Sequence, residues 1–296
     1  MGGFHPHHES MRDSIKSARK VVFQGEPGSY SHLAAREALP HCEAVPSPTF
    51  EDAFAAIREG NVDLGLIPIE NSLHGRIADI HHLLPEAPLY ILGEHFHRVR
   101  HQLLGVEGAT LASIKTVVSQ EPALGQCRRI VQELGLKRQL WADTAGAARH
   151  VASLKDKTLA AIASSLAAEI HKLTTLRADV EDADHNVTRF LVMSGTPDDA
   201  DHGNGPVITS FIFRVRNVPA ALYKALGGFA TNGVNMTKLE SYQLGGSFSA
   251  TQFYADIEGH PEERNVRLAL EELQFFTSTL KVLGVYPAHP FRKTLG

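Results

Sequence analysis

The sequence predicts an α/β protein in two parts: a two-lobed layered domain over residues 20–195 and a smaller βαββαβ, ferredoxin-like sandwich over residues 207–288. Three observations predict it. From Val21 onward, short apolar runs alternate with helical patterns, which implies mainly parallel sheets covered by helices. The segment GTPDDADHGNGP, ending at Pro206, holds almost nothing apolar and is dense in Gly, Pro, Asp and Asn, so residues 196–206 read as a linker. Beyond it the order of patterns becomes strand, helix, strand, strand, helix, strand. A length of 296 residues exceeds the usual single core and fits this division.

Along the chain, VVFQG reads as a strand closed by Gly25, and a Ser-containing loop leads into the helical stretch SHLAAREAL. Thr49 with Asp52 three residues on resembles a capping box opening FEDAFAAIRE, which Gly60 stops. LGLIPI reads as a buried strand ended by Glu70, Asn71 and Ser72, and HHLLPEAP as a loop. A second series begins with KTVVS. Pro122 suits the first turn of a single helix through PALGQCRRIVQEL, RQLWA is a strand, Thr144 caps TAGAARHVA, LAAIA is a strand and SSLAAEIHKL a helix. YILGEHFHRVRHQLLG and NVTRFLVMS are long extended candidates that join the two lobes across a cleft. In the last helix, Val266, Leu270, Leu273 and Phe276 form one apolar stripe. The C-terminal module is small enough that pairing with a second copy would bury useful surface.

Composition excludes several classes. Hydrophobic residues at 43% and charged residues at 21% fit neither a disordered nor a membrane chain. With 29 basic against 33 acidic residues, no global field exists to hold a nucleic acid. Two cysteines, Cys42 and Cys127, make no disulfide framework and suit a reducing compartment, and the first twenty residues lack an apolar signal core, so the expected location is cytoplasmic. His5, His7 and His8 have no ligand-spaced partner, and residues 1–19 read as a disordered, solvated extension, with 289–296 as a tail.

In open α/β layers, ligands sit beyond the carboxyl ends of the strands. The loops there run from Gly25 to Ser31, through Glu70, Asn71 and Ser72, through Ser119 and Gln120, and through Ser164 and Ser165. Hydroxyls, amides and helix-start N–H groups, with Arg189 the nearest cation, suit a small anion. GEPGSYS lacks both a Walker lysine and the third Gly of a dinucleotide fingerprint. Cys42 and Cys127 read as packing residues. His95 and His97 share a strand face but have no obvious carboxylate partner.

Asn186-Val187-Thr188-Arg189-Phe190 resembles the Thr-Arg-Phe motif of prephenate dehydratases. Pro68 through Gly75 resembles that family's Pro-x-Glu-Asn-Ser-x-x-Gly segment, Gly25 through His32 its N-terminal signature, and Ser119 through Cys127 its Ser…Gln-Cys stretch. Asn217-x-Pro219-x-Ala221-Leu222 and Leu239-Glu240-Ser241 resemble the ACT module that commonly follows. The resemblance spans about residues 20–288 and implies a type II periplasmic-binding-protein-like catalytic domain, residues 20–195, followed by an ACT domain.

The activity it implies is conversion of prephenate to phenylpyruvate, with loss of carbon dioxide and the ring hydroxyl, in phenylalanine biosynthesis, without metal or cofactor. The catalytic threonine maps to Thr188, which donates a hydrogen bond or passes a proton, with Glu70 the competing acid. Arg189 would orient a substrate carboxylate. Asn71, Ser72, Ser119 and Gln126 complete the cradle, with Ser31 and Phe190 beside it. The ACT resemblance implies L-phenylalanine as feedback effector, near Asn217, Ala221, Leu222, Asn235, Glu240 and Ser241, and a homodimer or homotetramer formed through that module. Ala220 replaces the family's usual Gly, and Tyr242-Gln243 its usual Arg-Pro. Two other readings stand beside this one: an arogenate dehydratase, in which Glu70 would serve the substrate ammonium, and a non-catalytic amino-acid sensor.

Overall fold

Three sheets organise the computed structural model, which describes residues 12–216, 218–243 and 250–294. The first lobe runs α1 (Asp13–Ser17), β1 (Lys20–Gln24), α2 (Tyr30–Ala38), β2 (Glu43–Ser47), α3 (Phe50–Arg58), β3 (Leu64–Asn71), β4 (Gly75–Arg76), α4 (Ala78–Leu83) and β5 (Tyr90–Arg98). The second lobe runs β6 (Gln102–Gly105), β7 (Thr116–Ser119), α5 (Glu121–Gly125), α6 (Arg128–Glu133), β8 (Lys137–Leu140), α7 (Thr144–Leu154), β9 (Leu159–Ala163), α8 (Ser165–His171) and β10 (Thr174–Arg177). The chain then returns to the first sheet as β11 (Val187–Ser194). The first sheet has the order β2-β1-β3-β11-β5 with β4 paired to β3, and the second β10-β6-β9-β7-β8. Two crossings, residues 99–101 and 178–186, therefore join the lobes, the two-lobed arrangement of a periplasmic-binding-protein-like fold.

The C-terminal part runs β12 (Val207–Val215), α9 (Ala221–Thr231), β13 (Met236–Gln243), β14 (Ala250–Glu258), α10 (Arg264–Phe276) and β15 (Thr277–Pro287), followed by a 3₁₀ turn at Pro290–Thr294. Its antiparallel sheet has the order β13-β14-β12-β15, the ferredoxin-like arrangement. The two helices cover one face through Val266, Ala269, Leu273, Ala225 and Phe229. The other face packs on the first lobe, where Ile208, Ile212, Tyr254 and Leu283 share a core with Ile67, Ile69, Leu191 and Met193. That approach requires Gly284, since a Cβ there would stand 1.9 Å from the carbonyl oxygen of Ile91.

Strand alternation decides which side of the first sheet each residue serves. Along β11, Phe190 and Val192 enter the core beneath α2, while Leu191 and Met193 enter the core shared with the C-terminal sheet. In register, Thr188 pairs with Asn71 on β3 and with His97 on β5, and Arg189 pairs with Glu70 and Phe96. Cross-strand partners share a face, so Thr188 and Arg189, though adjacent in sequence, open on opposite sides of the sheet.

Several local expectations are corrected. Residues 13–17, assigned to a disordered extension, form α1, with Ile15 buried in the core beside Val21; His5, His7 and His8 lie outside the described residues. The stretch HHLLPEAP, expected to loop, begins inside α4, whose Ile80 is fully buried. Asp143, not Thr144, caps α7 by accepting from the Gly146 N–H at 2.7 Å. Strands β2 and β10 form from short, weakly apolar segments whose periodicity carries no signal. The expected tail includes the turn at Pro290–Thr294, held by Arg292, whose Nε donates to Glu94 at 2.6 Å. The helix expected across Cys127 breaks there, with consequences for Gln126.

Candidate functional site

Asn71 ends β3 and fixes the polarity of a hydrogen-bond chain. Its Oδ1 accepts from the backbone N–H groups of Leu73 at 2.9 Å and His74 at 3.1 Å, a side-chain turn that leaves the amide nitrogen facing away. That nitrogen donates to Asn186 Oδ1 at 2.8 Å and to Thr188 Oγ1 at 3.0 Å. Asn186 Nδ2 donates to Gln126 Oε1 at 2.9 Å, and the same oxygen lies 2.7 Å from His101 Nε2. An amide oxygen only accepts, so His101 carries its hydrogen on Nε2, and its Nδ1 accepts from the Tyr30 hydroxyl at 2.6 Å. Burial pushes the His101 pKa below its ordinary value, against the Gln126 bond and the Glu181 charge. Thr188 is half-buried, and because its Oγ1 already accepts from Asn71, its own hydrogen remains to be donated to a group on that face of the sheet.

The broken helix aims Gln126. Cys127 lies outside the helical region at φ −124°, and α6 restarts with Asp182 accepting from the N–H groups of Arg128 at 2.8 Å and Arg129 at 3.1 Å. Cys127 is buried, and that burial pushes its thiol up, as a packing residue requires. Ser119 is buried at the end of β7, its hydroxyl donating to Ile162 O at 2.7 Å. Ser72 Oγ donates to His185 O at 2.6 Å and accepts from Val187 N at 2.9 Å, tying the β3 corner to β11. Ser31 stands half-buried in the first turn of α2. The loops before α2 and α8 touch across the cleft: Ser164 Oγ donates to Gly28 O at 2.5 Å. A Cβ on Gly28, whose φ is +93°, would stand 3.0 Å from Ala167 Cα.

Three expected site residues lie elsewhere. Arg189 is buried on the opposite face, with Nε on Glu94 at 2.8 Å, Nη1 on Glu70 at 2.9 Å and Asp256 at 2.6 Å, and Nη2 on Tyr286 at 2.9 Å. Its guanidinium is committed to the packing between β11 and the C-terminal sheet, not to a substrate carboxylate. Glu70 also accepts from Lys238 Nζ at 2.6 Å. Burial alone would raise its pKa, but Lys238 and Arg189 outweigh it and hold the group below the usual carboxylate range, on the face of the sheet that Arg189 occupies. Phe190 is sealed in the core. The expectation that Thr188 and Arg189 share one crevice therefore gives way to a division by face.

Sequence reasoning missed Asn186, His101, His74 and Tyr30. Asn186 adjoins the Thr-Arg-Phe motif and His101 lies in the first crossing, so proximity to a motif and to a hinge was the available signal. It also left His95 and His97 without a carboxylate, which Glu37 of α2 supplies. Of the expected effector residues, Asn217 lies outside the described residues. Ala221 and Leu222 open α9, half-buried, and Asn235 Nδ2 donates to Glu258 at 3.0 Å. Glu240 lies 3.7 Å from Arg76 Nη1, and the Ser241 carbonyl accepts from that nitrogen at 2.5 Å, a contact that bridges to the first lobe. Ala220 adopts φ +60°, the conformation glycine favours.

Comparison with known proteins gives this geometry its family. The family model described as prephenate dehydratase matches residues 21–198. A bifunctional N-acyl-homoserine lactone acylase/prephenate dehydratase of Komagataeibacter europaeus is 52% identical, covering 94% of this chain and 99% of its own. Arogenate dehydratase 2 of Petunia hybrida is 38% identical, covering 92% and 72% respectively. The crystal structure of the Arthrobacter aurescens prephenate dehydratase in complex with L-Phe superposes with a TM-score of 0.83 at 25% identity, covering 91% of this chain and 90% of that one. Among the described residues no helix is long and apolar enough to cross a membrane. By family model, relatives and fold together, the chain belongs to the prephenate dehydratase family of hydro-lyases.

Proposed function

We propose that the chain converts prephenate to phenylpyruvate and that L-phenylalanine regulates it through the C-terminal module, an ACT-type domain. The observation that carries the catalytic half is the Asn71 amide donating to Thr188 Oγ1, which reserves the threonine hydrogen for the cleft. In the reaction, the bond between the ring and its carboxylate breaks, its electron pair moves through the diene, and the C4–O bond breaks to release hydroxide. A hydrogen bond from Thr188 stabilises charge growing on that oxygen, and proton uptake makes it water. Helix-start N–H groups after β1, β7 and β9 suit the substrate carboxylates. With Arg189 committed elsewhere, the departing carboxylate is not gripped by a forked guanidinium that would oppose decarboxylation.

Prephenate is favoured over arogenate because Glu70, the carboxylate that would serve arogenate's ammonium, is already paired with Lys238 and Arg189. A product assay with both substrates, with and without L-phenylalanine, tests the proposal. We expect phenylpyruvate, a higher kcat/KM with prephenate and inhibition by phenylalanine. Absence of any phenylpyruvate refutes the reading. Exposed Tyr223 and Phe275 on the C-terminal helices support self-association through that module. A second, hydrolytic reading follows the Komagataeibacter relative. The observation favouring it is a cavity of about 1420 Å³, bordered by Leu33, Leu39, Leu92 and Phe96, that suits an acyl chain. Release of homoserine lactone from an N-acyl-homoserine lactone tests it, and no release refutes it.

A further inference from the structure

His95 and His97 stand two residues apart on β5, so both side chains leave the same face of an edge strand. Helix α2 brings Glu37, in its last turn, against that face. Glu37 Oε2 lies 2.7 Å from His97 Nδ1 and 3.4 Å from His95 Nε2, and the three donor atoms lie within 4.8 Å of one another. All three residues line the large cavity that Leu33 and Phe96 border. We propose that Glu37, His95 and His97 form a binding site for a divalent metal ion of the zinc type.

The donor set is that of a three-ligand zinc site with its fourth position open, here toward the cavity. Tetrahedral coordination with bonds of about 2.0–2.1 Å places donor atoms roughly 3.3 Å apart, so the observed spacing closes on an ion with small side-chain rotations. The backbone beneath is already rigid: His95 pairs with Phe190 and His97 with Thr188 along β11. Glu37 has two imidazoles as partners and, among the described residues, no Lys or Arg in an ion pair with it. Among the described residues His97 Nε2 is buried without a partner, and Nδ1 is the ring atom that faces Glu37. The register with Thr188 places the ion one strand from the catalytic hydroxyl, so occupancy stiffens the β5 edge beside the dehydratase site.

The test uses the full-length chain carrying His5→Ala, His7→Ala and His8→Ala, stripped with chelator and titrated with Zn²⁺ by calorimetry and with Co²⁺ by visible absorption. One equivalent per chain is expected, with a Co²⁺ spectrum of tetrahedral intensity. Glu37→Gln and His95→Gln, at positions more exposed than His97, should each weaken Zn²⁺ binding at least 100-fold while circular dichroism shows the fold unchanged. Absence of stoichiometric binding overturns the proposal. So does binding that both substitutions leave unaltered, since the ion then sits elsewhere.

Discussion

Replacing Asn71 with Asp tests the polarity of the catalytic chain while leaving its shape intact. The side chain keeps its size and its turn, because an oxygen still accepts from the N–H groups of Leu73 and His74. What it loses is both donated hydrogens. Thr188 Oγ1, 3.0 Å away, then donates to the new carboxylate instead of accepting, and the cleft loses its donor. Loss of one preorganised donor to a developing oxyanion costs about 2.7–4 kcal/mol, or about 10²–10³ in kcat. Facing Asn186 Oδ1 at 2.8 Å with a second acceptor costs about 1–3 kcal/mol of folding free energy, small enough for a folded variant. The assay is phenylpyruvate formation at saturating prephenate, with kcat and KM separated. Thr188→Val should lose a similar factor, and Asn71→Asp added to it should lose little more, because the two residues act as one unit. Turnover within threefold of the parent, or losses that multiply in the double variant, would refute the reasoning.

Arg189→Met leaves buried Glu94 and Asp256 without their shared cation and should cost about 3–5 kcal/mol of stability, read by urea denaturation, with KM of the folded fraction little changed; a hundredfold rise in KM at unchanged stability would return Arg189 to the substrate. Ala220→Gly relieves a left-handed residue and should stabilise by about 0.5–1 kcal/mol, and a destabilisation of that size would contradict the strain. His101 has a folded pKa below 6.5, so the unfolded chain takes up a proton first as pH falls, and stability should decline below about pH 6.5 as a result. His101→Asn should remove that part of the slope between pH 7.5 and 5, and a slope identical in the variant would exclude it.

Where a chemical signal is local, the sequence carried it. Alternating strand and helix patterns located β1, β3, β7, β9 and β11, and Ser29 and Ser164 cap α2 and α8 by accepting from the N–H groups of His32 and Ala167. Thr188, Asn71 and Gln126 were legible because each lies in a motif, and the structure brings the three into one hydrogen-bonded chain with Asn186. The face each residue occupies was harder to read. Arg189 and Glu70 sit inside the same motifs, but a strand alternates its side chains, and the residue after a cleft residue belongs to the other side. Predicting their role needed the knowledge that a second sheet covers that side, a long-range fact absent from residue spacing. The break at Cys127 depends on Asp182 more than fifty positions later, and the Glu37 partner of His95 and His97 arrives on a different element.

That alternation also gives the regulatory reading a physical route. In the proposed mechanism Thr188 and Asn71 meet the substrate side, while their immediate neighbours Arg189 and Glu70 hold Asp256 on β14, Tyr286 on β15 and Lys238 on β13. A ligand in the C-terminal module that shifts β13 or β14 must move Lys238 or Asp256 against partners fixed on β3 and β11. These charges are largely buried, so separating a pair is costly and the partners follow. Following means displacing the backbone one residue from the catalytic hydroxyl and from the amide that orients it. Under the proposed regulation, effector binding and catalysis would be coupled through two adjacent positions on each of two strands, with no longer pathway through the lobes required.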